Sequence, residues 1–122
     1  MPHPVCYFEI PVNDMGRAVA FYEAVFALKL ERTEIDGNEM ALFPEAVGTN
    51  AITGALARGA SYVPSRQGTR IYFRTDSIDT TLERAVAAGG IVMYPKTSIG
   101  DLGWVAEFED SEGNVIALHS PA

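Results

Sequence analysis

Apolar and polar residues alternate in the first patterned stretch of the chain. Phe8 and Ile10 fall on one face and Tyr7, Glu9 and Pro11 on the other, the two-residue period of a strand. The period then lengthens. Met15, Ala18, Val19, Tyr22, Val25 and Phe26 recur at three- and four-residue spacing, which predicts a helix with one apolar stripe. Asn13 or Asp14 offers a side-chain oxygen to the free amides at its start. Leu28 and Leu30 open the next strand.

The same order returns 63 residues later. Tyr7 falls on Arg70, Phe8 on Ile71, Ile10 on Phe73, Asp14 on Ser77, Met15 on Ile78, Val19 on Leu82, Ala24 on Ala87 and Leu28 on Ile91. Identity is low, but apolar pattern, capping and element order agree without a gap. An internal duplication explains this better than two unrelated βα units in one small α/β domain.

In chain order, the pattern predicts strands over Val5–Ile10, Leu28–Ile35, Glu39–Phe43 and Ala51–Ala57, with a helix over Met15–Ala27. Asp36-Gly37-Asn38 is a tight hairpin sequence. Pro44–Asn50 reads as a loop. The stretch 58–69 holds two glycines, a proline and two serines, and is the one plausible linker. Strand Arg70–Arg74, helix Ile78–Ala88, the stop Gly89-Gly90, strand Ile91–Tyr94, loop Pro95–Gly103, strand Trp104–Glu109, hairpin 110–114 and strand Val115–His119 complete the second unit. The expected class is α+β. Two tandem βαβββ modules, about 5–57 and 70–119, form one domain over 1–122.

Charge narrows the possible partners. The net charge is −7, and Lys and Arg are scattered, so a nucleic-acid surface is not expected. One buried Arg would still suffice for an anionic small molecule. Cys6 is the single cysteine; it forms no intramolecular disulfide and reads as a small buried hydrophobe. His3, between two prolines, reads as solvent-exposed. Neither a signal peptide nor a run of transmembrane length is evident, so the expectation is a cytoplasmic protein without a membrane partner.

The segments FEIPVNDMGRAVAFYEAVFALKL and FEDSEGNVIALHS carry a resemblance. With the paired βαβββ pattern, they are similar to the vicinal oxygen chelate superfamily, which includes glyoxalase I, bleomycin-resistance proteins and extradiol dioxygenases. Phe-Glu-Ile-Pro further resembles members described as related to lactoylglutathione lyase. The resemblance covers essentially the whole chain. It implies sheets curled into a cup, helices on the convex side, and a homodimer. Two departures stand out. Ala27 occupies a place where many members carry Gly, at a cost of about 1 kcal/mol if φ is positive. Ser111 replaces a proline of the last hairpin.

In metal-dependent members the resemblance implies four His, Glu or Gln ligands on the concave face. By register, these places hold Tyr7, Gly54, Arg70 and Ala117. Gly and Ala have no donor atom, and Arg repels a cation. A shift of one residue brings Phe8, Thr53, Ile71 and Ile116, which is no better. No metal and no cofactor are therefore expected. Glu9 and His119 share the strand faces of Tyr7 and Ala117 and could hold a displaced metal, but two ligands do not make a tight site. Glu9 reads more simply as the ion-pair partner of Arg70, and His119 as a half-exposed rim residue.

The face carrying Tyr7, Glu9, Arg70, Tyr72, Arg74 and His119 is unusually polar and suits a small-molecule pocket; Trp104 is a candidate for closing its rim. Arg70 and Arg74 favour an anionic oxygen group, and Tyr7 and Tyr72 can stack on a ring or donate hydroxyls. The competing reading is a plugged cup whose polar groups satisfy one another. Three functions stay open. One is a metal-free binding protein for an anionic or aromatic molecule. The second is a lyase, isomerase or dioxygenase using a displaced metal or Glu9 and His119 as acid and base. The third is a dimeric module without a ligand.

Overall fold

Side-chain caps start both helices. Asp14 accepts the Arg17 amide at the head of α1 (Met15–Phe26), and Ser77 accepts the Thr80 amide at the head of α2 (Ile78–Ala87). The computed structural model describes residues 4–44 and 52–122; His3 and most of the Pro44–Asn50 loop lie outside that range.

Around α1 run β1 (Tyr7–Pro11), β2 (Glu31–Ile35), β3 (Asn38–Leu42) and β4 (Thr53–Arg58), in the sheet order β1-β4-β3-β2. Around α2 run β5 (Tyr72–Arg74), β6 (Ile91–Ser98), β7 (Trp104–Glu109) and β8 (Val115–Ser120), in the order β5-β8-β7-β6. In each sheet one pair is parallel, β1 with β4 and β5 with β8, and the rest are antiparallel. Among the described residues these are two mixed four-stranded sheets with two α-helices and no closed barrel, an α+β fold of two βαβββ units. Among the described residues, no helix is long and apolar enough to cross a membrane.

The alternating faces sort as the pattern predicts. Phe8, Ile10, Ile71, Phe73, Ile116 and Leu118 all belong to or pack against the core under the helices. That core runs through both halves, from Tyr22, Val25 and Leu56 to Ile78, Phe108 and Leu118. Phe21 also faces it, a position outside the stripe read from the sequence. The hairpin between β2 and β3 closes through Asp36 and Gly37, both at positive φ (52° and 76°), the two-residue turn that an Asp-Gly pair favours.

Four expectations need correction. First, the repeat is not gapless. Glu9 pairs with Ala55 and Tyr72 pairs with Ala117, so 63 residues separate the first strands but 62 separate the last. Gly54, paired with Phe8, therefore faces the core. Second, β6 continues through Pro95 to Ser98, where a loop was expected. It is an edge strand with register shifts at its middle, where a missing N–H is tolerated. Third, β5 is short, and Arg70 and Ile71 precede it. Fourth, Cys6 is exposed, because it lies ahead of the paired part of β1.

Candidate functional site

Among the described residues, no strand of one sheet pairs with a strand of the other. Their edge strands β1 and β5 instead border one cavity of about 1000 Å³. The floor of this slot is aromatic. Phe8, Phe43 and Phe73 form a triangle with ring centroids 5.5–5.8 Å apart, and Phe26 stacks beneath Phe73 at 4.5 Å. These rings reach the slot because they sit on core-facing positions where no strand covers them.

The rim is polar. Tyr7 and Glu9 come from β1, and Arg70, Tyr72 and Arg74 from β5 and the residue pair before it. Five of the seven site residues read from the sequence thus border one space. His119 and Trp104 do not line it. His119 is on the open face beside Arg74, and its Nε2 lies 2.6 Å from the Leu102 carbonyl oxygen. Trp104 shares the parity of Ala106 and Phe108, so it projects on the helix side, where Lys96 sits 4.8 Å from its ring and also pairs with Asp79 of α2. The rim role assigned to Trp104 fails on that alternation.

The expected pairing of Glu9 with Arg70 is absent. Glu9 accepts hydrogen bonds from the Tyr62 hydroxyl at 2.8 Å and the Tyr7 hydroxyl at 3.4 Å. Burial and the Glu9 charge push the Tyr7 phenol above its ordinary pKa; the hydrogen bond to Glu9 does the same for Tyr62. Both therefore remain donors at neutral pH. Arg70 instead reaches Glu107 of β7 at 3.6 Å. Arg74 has no carboxylate within 4.0 Å among the described residues.

Sequence reading missed Tyr62 and Glu107. Tyr62 lies in the 58–69 stretch and packs on Met40, Ala55 and Ala57, covering the open face of the first sheet. Its signal was an aromatic and an apolar residue, Tyr62-Val63, amid turn formers. Glu107 alternates with Ala106 and Phe108, so parity alone puts it on the open face. The same stretch crosses to the second sheet, where Arg66 pairs with Glu109 at 2.7 Å, and its Val63, Ser65, Gln67 and Thr69 close one side of the slot.

The description of the Glyoxalase/Bleomycin resistance protein/Dioxygenase superfamily matches residues 4–118. The chain belongs to this superfamily. It is 31% identical over 114 residues to "Putative glyoxylase CFP32" of Mycobacterium tuberculosis and of Mycobacterium bovis. The match takes in 93% of this chain and 42% of those proteins, so the chain spans about two-fifths of their length. Among solved structures, TnmS3, an antibiotic binding protein from Streptomyces sp. CB03234, superposes with a TM-score of 0.69 at 25% identity, over 100% of this chain and 98% of that one. A glyoxalase/bleomycin resistance/dioxygenase domain from Frankia sp. superposes at 0.73 with 18% identity, over 100% and 93% of the two chains. A glyoxalase I mutant from Zea mays superposes at 0.72, also with 18% identity, over 98% of this chain and 47% of that one.

The observed register changes one of the metal positions implied for superfamily members. Ala55 replaces Gly54, giving Tyr7, Ala55, Arg70 and Ala117. Two alanines carry no donor atom and a guanidinium carries a fixed positive charge, so this set does not fit a divalent cation. Among the described residues, no three His, Cys, Asp or Glu side chains converge.

Proposed function

We propose that the chain binds a small, flat aromatic molecule with an acidic oxygen group in the slot between β1 and β5, without a metal ion. The observation that carries this reading is the pairing of an aromatic floor with an arginine- and tyrosine-bearing rim around one cavity of about 1000 Å³. A ring stacks or packs edge-on against Phe8, Phe43 and Phe73. The Arg70 and Arg74 guanidinium groups suit a carboxylate or enolate oxygen. The likeness to an antibiotic binding protein over the whole chain supports a binding role. An enzymatic reading rests on Glu9 alone, since His119 does not line the cavity and its Nε2 faces the Leu102 carbonyl.

In this reading the two modules act as one domain in a reducing compartment such as the cytoplasm, which suits a lone, exposed Cys6. A homodimer belongs to it too: β6 leaves Ile91, Val92, Met93 and Tyr94 exposed, and a second copy would cover them.

Calorimetry with 2-naphthoate tests the proposal, run beside metal analysis by plasma mass spectrometry on protein purified without chelator or nickel. The expected result is saturable binding that a chelator leaves unchanged, with metal far below stoichiometry. Stoichiometric zinc, iron, manganese or nickel, or binding abolished by chelator, overturns it.

A further inference from the structure

Opposite charges line the two walls of the slot and do not neutralise each other. Among the described residues, Glu9 on the β1 wall is met only by the phenolic hydroxyls of Tyr7 and Tyr62, and no cation lies within 4.0 Å of it. On the β5 wall, Arg74 has no carboxylate within the same distance among the described residues, and Arg70 is held to Glu107 by a loose 3.6 Å contact. A carboxylate and two guanidinium groups that share one cavity would attract strongly if they could touch. Across the aromatic floor, Glu9 forms no ion pair with Arg70 or Arg74.

We infer that the slot is bipolar and selects a ligand with a protonated amine at one end of a flat ring and a carboxylate at the other. This rests on the slot reading above and adds the polarity of its occupant. The amine end sits on Glu9. A carboxylate has about four lone-pair directions, and the two tyrosine hydroxyls occupy two, so acceptor capacity remains for an ammonium. The two hydroxyls also fix the carboxylate in place before the ligand arrives, which lowers the ordering cost of binding. The acid end sits on Arg74, with Arg70 beside it. Tyr72, 55% exposed on the same wall, adds a hydroxyl or a ring face. A ligand with one charge leaves the opposite wall without a partner and forgoes a charge-assisted hydrogen bond.

Four naphthalenes of one shape separate the contributions: 6-(aminomethyl)-2-naphthoate, 2-naphthoate, 2-naphthylmethylamine and 2-naphthalenemethanol. Their affinities are measured by calorimetry at low ionic strength on the full chain. The aminomethyl acid is expected to bind about ten-fold tighter than either singly charged compound, and those tighter than the alcohol. Glu9→Gln is expected to weaken the two amines about ten-fold more than it weakens 2-naphthoate, and Arg74→Gln to weaken the two acids about ten-fold more than the amine. Glu9 and Arg74 are both exposed, and circular dichroism checks that each variant is folded. Equal affinity of the aminomethyl acid and 2-naphthoate, or loss of affinity that does not follow charge in the two variants, overturns the bipolar assignment and leaves the aromatic slot standing. Absence of binding by all four overturns the slot reading and this one with it.

Discussion

Glu112, in the hairpin before β8, binds Arg17 on the first turn of α1. Oε2 lies 2.7 Å from Nε and Oε1 lies 3.0 Å from Nη2. The same Oε1 accepts the backbone amides of Asn13 and Asp14. The Glu112 side chain is fully buried, whereas that of Arg17 is half exposed. One carboxylate thus serves the positive end of a helix in the first module from a turn in the second. Nearby, Asn114 donates to the Pro11 carbonyl, and Tyr22 donates to Asp110. The hairpin therefore acts as a clasp that ties the end of β1 and the start of α1 to β8, the strand paired with β5.

Glu112→Gln should destabilise the protein by about 2 kcal/mol, the scale of losing charge-assisted hydrogen bonds at a buried acceptor. Urea unfolding followed by tryptophan fluorescence measures this. A midpoint equal to that of the parent protein would mean that the clasp contributes nothing to the fold.

The clasp also predicts an acid limit. Burial raises the Glu112 pKa, but the hydrogen bonds from Arg17, Asp14, Asn13 and Ser111 outweigh it, and the carboxyl ends below its ordinary value. A depressed folded-state pKa gives stability that is fully present above the unfolded value, about 4.3, and is lost as pH falls through the folded value. The stability gap between the parent protein and Glu112→Gln should therefore be constant above about pH 5 and narrow below about pH 4. Urea midpoints of both proteins across that range check it; a gap that widens on acidification contradicts the assignment.

Local chemistry made most of the fold legible. Alternation placed Phe8, Ile10, Ile71 and Phe73 on the covered face, and the caps, the Asp-Gly turn and Ala27 were all readable within a few residues. The site was harder, because its occupants depend on relations between distant strands. Arg70 shares a face with both Glu9 and Glu107, and nothing local says which it meets. Tyr62 sits in a stretch whose glycines, proline and serines signal turns, yet its ring finds Met40 and Ala57 across the sheet. The one-residue difference between the halves was invisible, since it falls between well-patterned segments. It decides which way Gly54 points.

Gly54→Ala tests that orientation. A Cβ at this position would lie 2.4 Å from the Phe8 carbonyl oxygen and 2.6 Å from the Phe8 ring, on the strand hydrogen-bonded beside it. Neither backbone can yield without disturbing the parallel pair, so the methyl group should cost about 2 kcal/mol or more. Differential scanning calorimetry measures the loss. A neutral substitution would place Gly54 on the open face, where the gapless repeat puts it, and would return the side chain at that position to the rim of the site.

Ala27→Gly should have the opposite effect. Ala27 ends α1 with φ 54° and ψ 49°, the left-handed conformation in which a Cβ crowds the following carbonyl. Relieving that contact gains about 1–2 kcal/mol, and the greater freedom of glycine in the unfolded chain returns about 0.4–1 kcal/mol. The net expectation is a stabilisation of about 0.5–1 kcal/mol, which raises the melting temperature by about 2–4 °C for a chain of this size. The Ala27 methyl is solvent-exposed, so no packing is lost to offset the gain. Thermal melts of the two proteins at one concentration decide it. An unchanged or lower midpoint would show that the strain at Ala27 is already relieved by the turn into Leu28 and that a cap glycine has nothing to restore.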